Sequence, residues 1–200
     1  MNNILVTGGA GYIGSHTIVE LVQAGYQPII IDDLSNSKKN VISRLEKLCK
    51  QKIPFYNINC TNEKEMLNER LWKNIKGVIH FAAHKSVSES VKYPKKYFSN
   101  NVGSTEVILK IMNRYKIENL VFSSSCAVYG EPNKLPVTEK SPIKTPTSPY
   151  ALTKQKCEEI IAKSNLTNYA ILRYFNPIGA HKSGLIGELP NKKPNNLVPL

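Results

Sequence analysis

Short apolar runs alternate with longer amphipathic stretches along most of the chain. The apolar runs predict buried β-strands at 3–7, 28–31, 53–58, 77–81, 120–124 and 169–172. Between them, apolar residues at helical spacing predict helices at 12–24, 41–50, 63–72, 94–115 and 149–163. Short apolar strands that alternate with helices form parallel sheets covered on both faces, so the pattern predicts a doubly wound α/β fold.

The pattern changes after Tyr174. Residues 180–200 are rich in Gly, Pro, Asn and Lys and show little periodicity, which is typical of loop. We therefore expect one domain at 1–176 and the beginning of a second, smaller one at 177–200. The chain stops without a terminal helix or charged tail, and we expect it to be a portion of a longer protein.

A glycine-rich segment joins the first predicted strand to the first predicted helix. Gly8, Gly11 and Gly14 have the spacing G-x-x-G-x-x-G. Glycines at such a junction permit a tight turn and a close approach of a pyrophosphate, which the N–H groups of the helix N-terminus then bind. This context predicts a Rossmann-type dinucleotide site, and a purely structural glycine turn is the alternative.

Asp32 and Asp33 end the second predicted strand, about 20 residues beyond the glycines. A carboxylate there can accept hydrogen bonds from ribose hydroxyls and would repel a 2′-phosphate. We therefore expect NAD rather than NADP, with a helix cap as the alternative role of Asp32.

Tyr150 and Lys154 have the spacing Y-x-x-x-K at the start of the helix at 149–163, so they lie on one helical face. A free phenol titrates near pH ~10, and a nearby ammonium group lowers its pKa toward the range of a general acid/base. Ser123, Ser124 and Ser125 end the fifth predicted strand, at the edge where doubly wound sheets bind ligands. In isolation the tyrosine–lysine spacing is common, and it gains weight only beside the glycine segment.

Composition narrows the classes of protein that are compatible with this fold. The net charge of the 200 residues is +12, but the lysines are dispersed and no nucleic-acid-binding motif is present. No apolar run has the length of a membrane-spanning helix, and neither a signal nor a transit peptide is recognisable. The four cysteines lack metal-ligand spacing, so we expect reduced thiols, no metal site and a cytoplasmic location.

Six strings in the sequence resemble the extended short-chain dehydrogenase/reductase superfamily and, within it, the nucleotide-sugar 4-epimerases. They are VTGGAGYIGSH (6–16), HFAAHKSV (80–87), SSSCAVYG (123–130), SPYALTK (148–154), RYFNPIGAH (173–181) and PNNLVP (194–199). The first string is shared across the superfamily, whereas the last two are the most discriminating. The resemblance covers the whole chain.

The resemblance implies NAD-dependent interconversion of UDP-glucose and UDP-galactose, by oxidation at C4, rotation of the 4-keto sugar and re-reduction. Tyr150 would be the acid/base, Ser125 would assist it, and Lys154 would hold the nicotinamide ribose. The NAD site would comprise Gly8, Gly11, Tyr12, Ile13, Gly14, Asp32, Asn36, Asn59, Cys60, Phe81, Lys85, Asn100, Tyr150, Lys154 and Phe175. The UDP-sugar site would comprise Lys85, Ser125, Tyr150, Asn176, Asn195, Asn196 and Leu197, the last four in or near the substrate region at 177–200. A homodimer built from the helices at 94–115 and 149–163 is also implied.

Two departures from the family pattern matter. Asn59, followed by Cys60, stands where the family usually has an aspartate near the adenine, although asparagine can still hydrogen-bond the base. The family's chains also continue well beyond residue 200 and take most of their uridine and diphosphate contacts from that part.

Three alternatives stay open to different degrees. A 4,6-dehydratase would need acidic groups just after Ser125, where this chain has Cys126 and Ala127. A 4-epimerase for an N-acetylated or uronic UDP-sugar would share every motif above. A non-catalytic NAD-binding protein would share the fold, although the presence of both Tyr150 and Lys154 counts against it.

Overall fold

Six parallel strands form one sheet in the computed structural model, which describes residues 2–189. The strands are β1 (Asn3–Thr7), β2 (Gln27–Ile31), β3 (Phe55–Tyr56), β4 (Ile75–His80), β5 (Asn119–Ser125) and β6 (Asn168–Tyr174). Their order across the sheet is β3-β2-β1-β4-β5-β6, and all pairings are parallel. The chain starts in the middle of the sheet and winds outward in both directions, which confirms the Rossmann-type fold.

Eight α-helices connect the strands or flank them. They are α1 (Tyr12–Gln23), α2 (Asn40–Cys49), α3 (Glu63–Met66), α4 (Glu69–Trp72), α5 (Val87–Lys92), α6 (Pro94–Tyr97), α7 (Gly103–Arg114) and α8 (Pro149–Ala162). A π-helical turn at Phe98–Val102 joins α6 to α7, and a 3-10 turn at Cys126–Tyr129 follows β5. Each predicted helix contains observed helical structure.

Several predicted boundaries were wrong for local reasons. The helix predicted at 63–72 is two short helices, because the Asn68 side chain accepts a hydrogen bond from Arg70 N and starts a new helix. The strand predicted at 53–58 pairs only at Phe55–Tyr56. Helix α5 was not predicted, although Ser86 caps it and Glu89 follows three residues later, as in a capping box.

The two faces of the sheet bury separate apolar clusters. Neighbouring residues of β1 point to opposite faces, so that Leu5 packs in one cluster and Val6 in the other. Helices α4, α7 and α8 cover the Leu5 face, whereas α1 and α2 cover the Val6 face. Because all pairings are parallel, the carboxyl ends of the strands lie at one common edge of the sheet.

The chain beyond β6 returns to the Val6 face of the sheet. Within the segment 177–189, Ile186 is only 4% exposed and belongs to the same apolar cluster as Val6. This segment therefore packs on the first predicted domain as far as the structure describes it. None of the helices within residues 2–189 has the length and apolar character needed to cross a bilayer.

Candidate active site

The glycine segment forms a tight turn at the carboxyl end of β1. Gly8 has φ +68, a left-handed conformation that glycine adopts without strain, and its N–H donates to Ile31 O at 2.8 Å. A Cβ on Gly14 would lie 2.2 Å from Gly8 O, so only glycine lets α1 approach the turn this closely. Helix α1 begins at Tyr12 without a side-chain cap and without an acidic residue in its first turn. Its N-terminal N–H groups and dipole therefore suit an anion.

Asp32 holds the glycine turn in place. Its side chain is buried and accepts hydrogen bonds from Ala10 N at 3.0 Å, Leu34 N at 2.9 Å and Ser37 Oγ at 3.0 Å. Burial raises the pKa of this carboxyl, while the bonds from Leu34, Ser37 and Ala10 lower it. The carboxylate thus lies at the end of β2, beside the phosphate-binding turn, where a ribose role was predicted.

Asn59 and Cys60 follow β3 and lie close to Asp33. The Asn59 amide donates to Asp33 Oδ2 at 3.0 Å, and its oxygen accepts from Thr61 N at 2.9 Å. The Cys60 side chain is buried, and its surroundings raise the pKa of the thiol to about 12, first through burial and then through the two aspartates. The Cys60 thiol is therefore held un-ionised in the interior.

The predicted acid/base pair begins α8. Ser148 caps this helix by accepting from Ala151 N at 3.1 Å, and Pro149 occupies its first turn. One turn further, Lys154 is 4% exposed and donates from Nζ to Ser123 O at 2.7 Å. Burial lowers the pKa of this lysine to about 8, against the smaller opposing effects of Cys157 and Glu158.

The pKa of Tyr150 differs from the sequence-based expectation. Burial raises it above the usual 10, and a hydrogen bond with the Ser125 side chain opposes this only in part. Lys154 does not lower the pKa of the phenol here because its ammonium group is directed to the Ser123 carbonyl. The expected lowering of the pKa is therefore wrong for the protein without a bound ligand.

A buried polar network beneath Tyr150 was not predicted from the sequence. Thr7 Oγ1 and His80 Nδ1 are 2.6 Å apart, and burial lowers the pKa of His80 to about 3. Asn101, in the π-helical turn, donates to His84 O at 3.0 Å and to Thr153 Oγ1 at 3.2 Å. The network therefore ties the loop after β4 to the first turn of α8. His80 lies next to the end of the strand predicted at 77–81 and was detectable on that ground, whereas Asn101 gives no signal within a helical pattern.

The segment 177–189 supplies further contacts to predicted NAD-site residues. Tyr12 donates from its hydroxyl to Gly179 O at 2.6 Å. Lys85 forms an ion pair with Glu188, with 2.8 Å between Nζ and Oε1. Glu188 was not predicted as a site residue. It lies close enough to Tyr12 that its charge raises the Tyr12 pKa, although burial of the phenol contributes more.

The remaining predicted residues are distributed around the same edge. A cleft beside the glycine turn is lined by Ala10, Gly11, Tyr12, Ser15, Asn36, Ser37, Lys38, Val41, Ile186, Gly187 and Leu189.

The Asn100 amide donates to Asn101 Oδ1 at 3.0 Å, and Phe81 N donates to Thr7 O at 3.0 Å. Ile13 is partly exposed in the first turn of α1. Phe175 and Asn176 are exposed just after β6, away from any contact that fixes their role. Asn195, Asn196 and Leu197 lie outside the described residues.

These features fit a dinucleotide. A glycine turn that a Cβ would obstruct, an uncapped helix N-terminus and a carboxylate at the end of β2 are the elements that hold a pyrophosphate and a ribose. The tyrosine–lysine pair lies at the ends of strands on the other side of β1, where the second half of a dinucleotide would extend. Fold and site together define a Rossmann-type nucleotide-binding protein.

Comparison with known proteins gives the family. The model of the NAD dependent epimerase/dehydratase family matches residues 4–199, and the chain belongs to that family. The chain is 48% identical over 202 residues to a UDP-glucose 4-epimerase of Dictyostelium discoideum, covering 99% of this chain and 58% of that protein. A UDP-glucose 4-epimerase of Neisseria meningitidis is 48% identical over 204 residues, covering 100% of this chain and 60% of that protein. The chain thus spans about 60% of the length of these curated relatives.

Solved structures agree with the sequence comparison. A UDP-glucose 4-epimerase from Bifidobacterium longum, crystallised with NAD+ and UDP, superposes with a TM-score of 0.93 at 42% identity, over 98% of this chain and 60% of that one. A UDP-Glc/GlcNAc 4-epimerase from Campylobacter jejuni gives a TM-score of 0.81 at 33% identity, over 88% of this chain and 54% of that one. The resemblance expected from the sequence is confirmed at the level of family and fold.

Proposed function

We propose that this chain is the NAD-binding and acid/base-bearing portion of a UDP-glucose 4-epimerase. The observation that carries the proposal is the convergence of Tyr150, Lys154 and the end of β5 beside a dinucleotide-type glycine turn. The naming of relatives at 48% identity as UDP-glucose 4-epimerases supports the same conclusion.

NAD+, when bound, supplies a reversible hydride acceptor for C4 of the sugar, which allows oxidation to the 4-keto sugar and re-reduction on its other face. Tyr150 accepts the proton of the 4-hydroxyl on its phenolate oxygen and later returns it. Ser125 holds the same oxygen by a hydrogen bond, so that proton transfer occurs at a fixed position. The phenol must ionise before it can accept the proton. The positive charge of a bound cofactor would favour the phenolate and so lower the Tyr150 pKa.

The proposed role of Lys154 depends on a bound cofactor. In the described structure its ammonium group is bound to the Ser123 carbonyl, close above the Phe122 ring at 4.9 Å from the centroid. The hydroxyl groups of a nicotinamide ribose would be alternative acceptors for this ammonium group. We propose that Lys154 then binds the ribose and stabilises the phenolate of Tyr150.

NAD is the preferred cofactor in this proposal. Asp32 is buried, fixed by three hydrogen bonds and placed at the end of β2, so a 2′-phosphate would meet a negative charge that cannot move away. The proposed adenosine and pyrophosphate contacts are those predicted from the sequence. Of the two residues that follow β3, Asn59 is exposed and Cys60 is buried.

A second substrate class is favoured by one observation. The Campylobacter jejuni enzyme, whose name includes both UDP-Glc and UDP-GlcNAc, superposes well on this chain. A 4-epimerase for N-acetylated UDP-sugars therefore remains the second candidate. The dehydratase alternative lacks support, since Cys126 and Ala127 follow Ser125 and neither side chain is an acid.

A homodimer is proposed through α5, α6 and α8. Val87, Val91 and Tyr93 on or next to α5 are 50%, 61% and 58% exposed, which is unusual for large apolar side chains so close together. Beside them, a groove of about 420 Å³ is lined by Pro94, Phe98, Pro146, Thr147, Ser148, Pro149 and Leu152. The helix predicted at 94–115 corresponds to α6, the π-helical turn and α7, and the exposed apolar side chains add α5 to the predicted surface. A cytoplasmic location is proposed alongside, supported by the four free cysteines.

Proton NMR of UDP-galactose incubated with the protein and NAD+ tests the proposed function. The anomeric signal of UDP-glucose is expected to appear, and a parallel incubation with UDP-N-acetylgalactosamine separates the two substrate classes. If neither sugar is converted while NAD+ binds, the proposed activity is contradicted, and a non-catalytic NAD-binding protein is the better interpretation.

A further inference from the structure

Three consecutive serines at the end of β5 each contact a different residue of α8. Ser123 O accepts from Lys154 Nζ at 2.7 Å, and Ser125 hydrogen-bonds to Tyr150. The third serine, Ser124, donates from Oγ to Glu158 Oε1 at 2.5 Å. Because Tyr150, Lys154 and Glu158 are spaced by four residues, they form one stripe of the helix.

Glu158 is held from both sides in the interior. Its residue is 6% exposed, and Arg173 of β6 donates to Oε1 from Nε at 3.0 Å and to Oε2 from Nη2 at 2.7 Å. Arg173 in turn donates from Nη1 to Tyr129 Oη at 2.9 Å and lies 4.9 Å above the Tyr129 ring. One carboxylate therefore joins β5, β6 and α8 through charge-assisted bonds, which are the stronger kind.

We propose that Glu158 is a positioning residue for the Tyr150–Lys154 pair, since through Ser124 and Arg173 it fixes α8 against the strand end that carries Ser125. This inference rests on the proposed function. A small slide of α8 along β5 would change the Ser125–Tyr150 and Ser123–Lys154 distances together. Displacements of about 1 Å near a reacting centre are enough to reduce rates about a hundredfold.

The charge of Glu158 acts on the same pair. Burial lowers the Lys154 pKa first, and the neighbouring Cys157 and Glu158 raise it in part. From β4, His80 faces the same ammonium group and is neutral because its pKa is about 3. The carboxylate of Glu158 therefore supports a charged Lys154, together with Cys157.

Three variants separate positioning from charge and from helix stability. Ser124→Ala removes only the bond to Glu158. Glu158→Gln removes the charge but keeps an oxygen that can accept from Ser124. Glu159→Gln removes an exposed carboxylate of the same helix and is the matched control. Glu159 forms only the surface ion pair with Lys156 at 2.9 Å. Two measurements are made on each: kcat and KM of the epimerase reaction, and the pH at which the Lys154 ammonium titrates, by NMR of 15N-labelled lysine.

Ser124→Ala is expected to lower kcat about tenfold to a hundredfold with KM and bound NAD unchanged. The pH at which the Lys154 ammonium group titrates should not change in this variant. Glu158→Gln should lower kcat and also move the Lys154 titration roughly one unit lower. Glu159→Gln should change neither quantity. The NMR titration needs no turnover, so a failure of the proposed epimerase activity is distinguishable from a failure of this inference. Unchanged kcat in Ser124→Ala together with an unchanged Lys154 titration in Glu158→Gln would overturn it.

Discussion

Thr7 and His80 end two neighbouring strands and are joined by a hydrogen bond of 2.6 Å between Oγ1 and Nδ1. The same threonine hydroxyl accepts from Ala82 N at 3.3 Å. This arrangement keeps the imidazole neutral, because both the burial of His80 and the charge of Lys154 disfavour a second proton. Stability toward acid therefore depends on a buried histidine at the end of β4.

His80→Gln is predicted to weaken the pH dependence of stability on the acid side. The folded-state pKa of about 3 lies below the ordinary 6.5, so the unfolded chain takes up a proton between these values and the folded chain does not. Stability conferred by this group is complete above pH 6.5 and falls by roughly 1.4 kcal/mol per pH unit as the pH decreases toward 3.

Urea unfolding of the wild type and His80→Gln between pH 7 and 5 measures the effect. The wild type should lose more stability over this range than the variant. His16→Gln, on α1, controls for the loss of an imidazole elsewhere in the fold. Equal slopes for His80→Gln and the wild type would show that His80 is not held neutral.

Gly14→Ala is predicted to disrupt the glycine turn. The added Cβ would lie 2.2 Å from Gly8 O and 2.8 Å from Gly9 Cα, and these are backbone atoms that cannot rotate away. Overpacking of this kind costs about 1–3 kcal/mol, and the displaced turn should lose most of its affinity for NAD+. Isothermal titration with NAD+ and thermal unfolding measure the two effects.

Gly103→Ala is the control, because the nearest atom to its added Cβ is 4.0 Å away. It should retain NAD+ affinity and gain slightly in helix propensity. Normal NAD+ binding by Gly14→Ala would show that NAD+ binding does not require the close approach of α1 to the glycine turn.

Ile186→Ala is predicted to loosen the segment 177–189. Ile186 is 4% exposed within the apolar cluster of α1 and α2, and removal of a buried isoleucine side chain to alanine costs about 2–5 kcal/mol. Hydrogen exchange of the amides of Ser183 to Glu188 should become faster, and NAD+ should dissociate faster from the cleft that this segment lines.

Ile178→Ala is the comparison, since Ile178 is 68% exposed in the same segment. Its amides should exchange hydrogen at the wild-type rates, and it should retain NAD+ as the wild type does. Identical exchange in both variants would mean that Ile186 does not anchor the segment.

Much of the fold was predictable because burial on both faces makes the central strands continuously apolar. The strands at β1, β4 and β5 and the glycine turn were identified within a residue or two. Helix α5 and the division into α3 and α4 were missed, since they depend on the caps Ser86 and Asn68 rather than on apolar spacing.

The site was predictable only where sequence spacing reports spatial proximity. Tyr150 and Lys154 lie four residues apart, so one helix brings them together. Glu158 continues the same spacing and was detectable in principle. The contacts of Lys85 with Glu188 and of Asn101 with Thr153 join residues far apart in sequence, and no local pattern contains them.

The Tyr150→Phe variant tests the central claim most directly, that Tyr150 is the acid/base of an NAD-dependent 4-epimerase. Its NAD+ affinity is measured by titration, and its conversion of UDP-galactose by proton NMR, beside the wild type. The account predicts wild-type NAD+ affinity, because the glycine turn and Asp32 are untouched, and a rate lowered at least about a hundredfold. Conversion by the variant at the wild-type rate would contradict it.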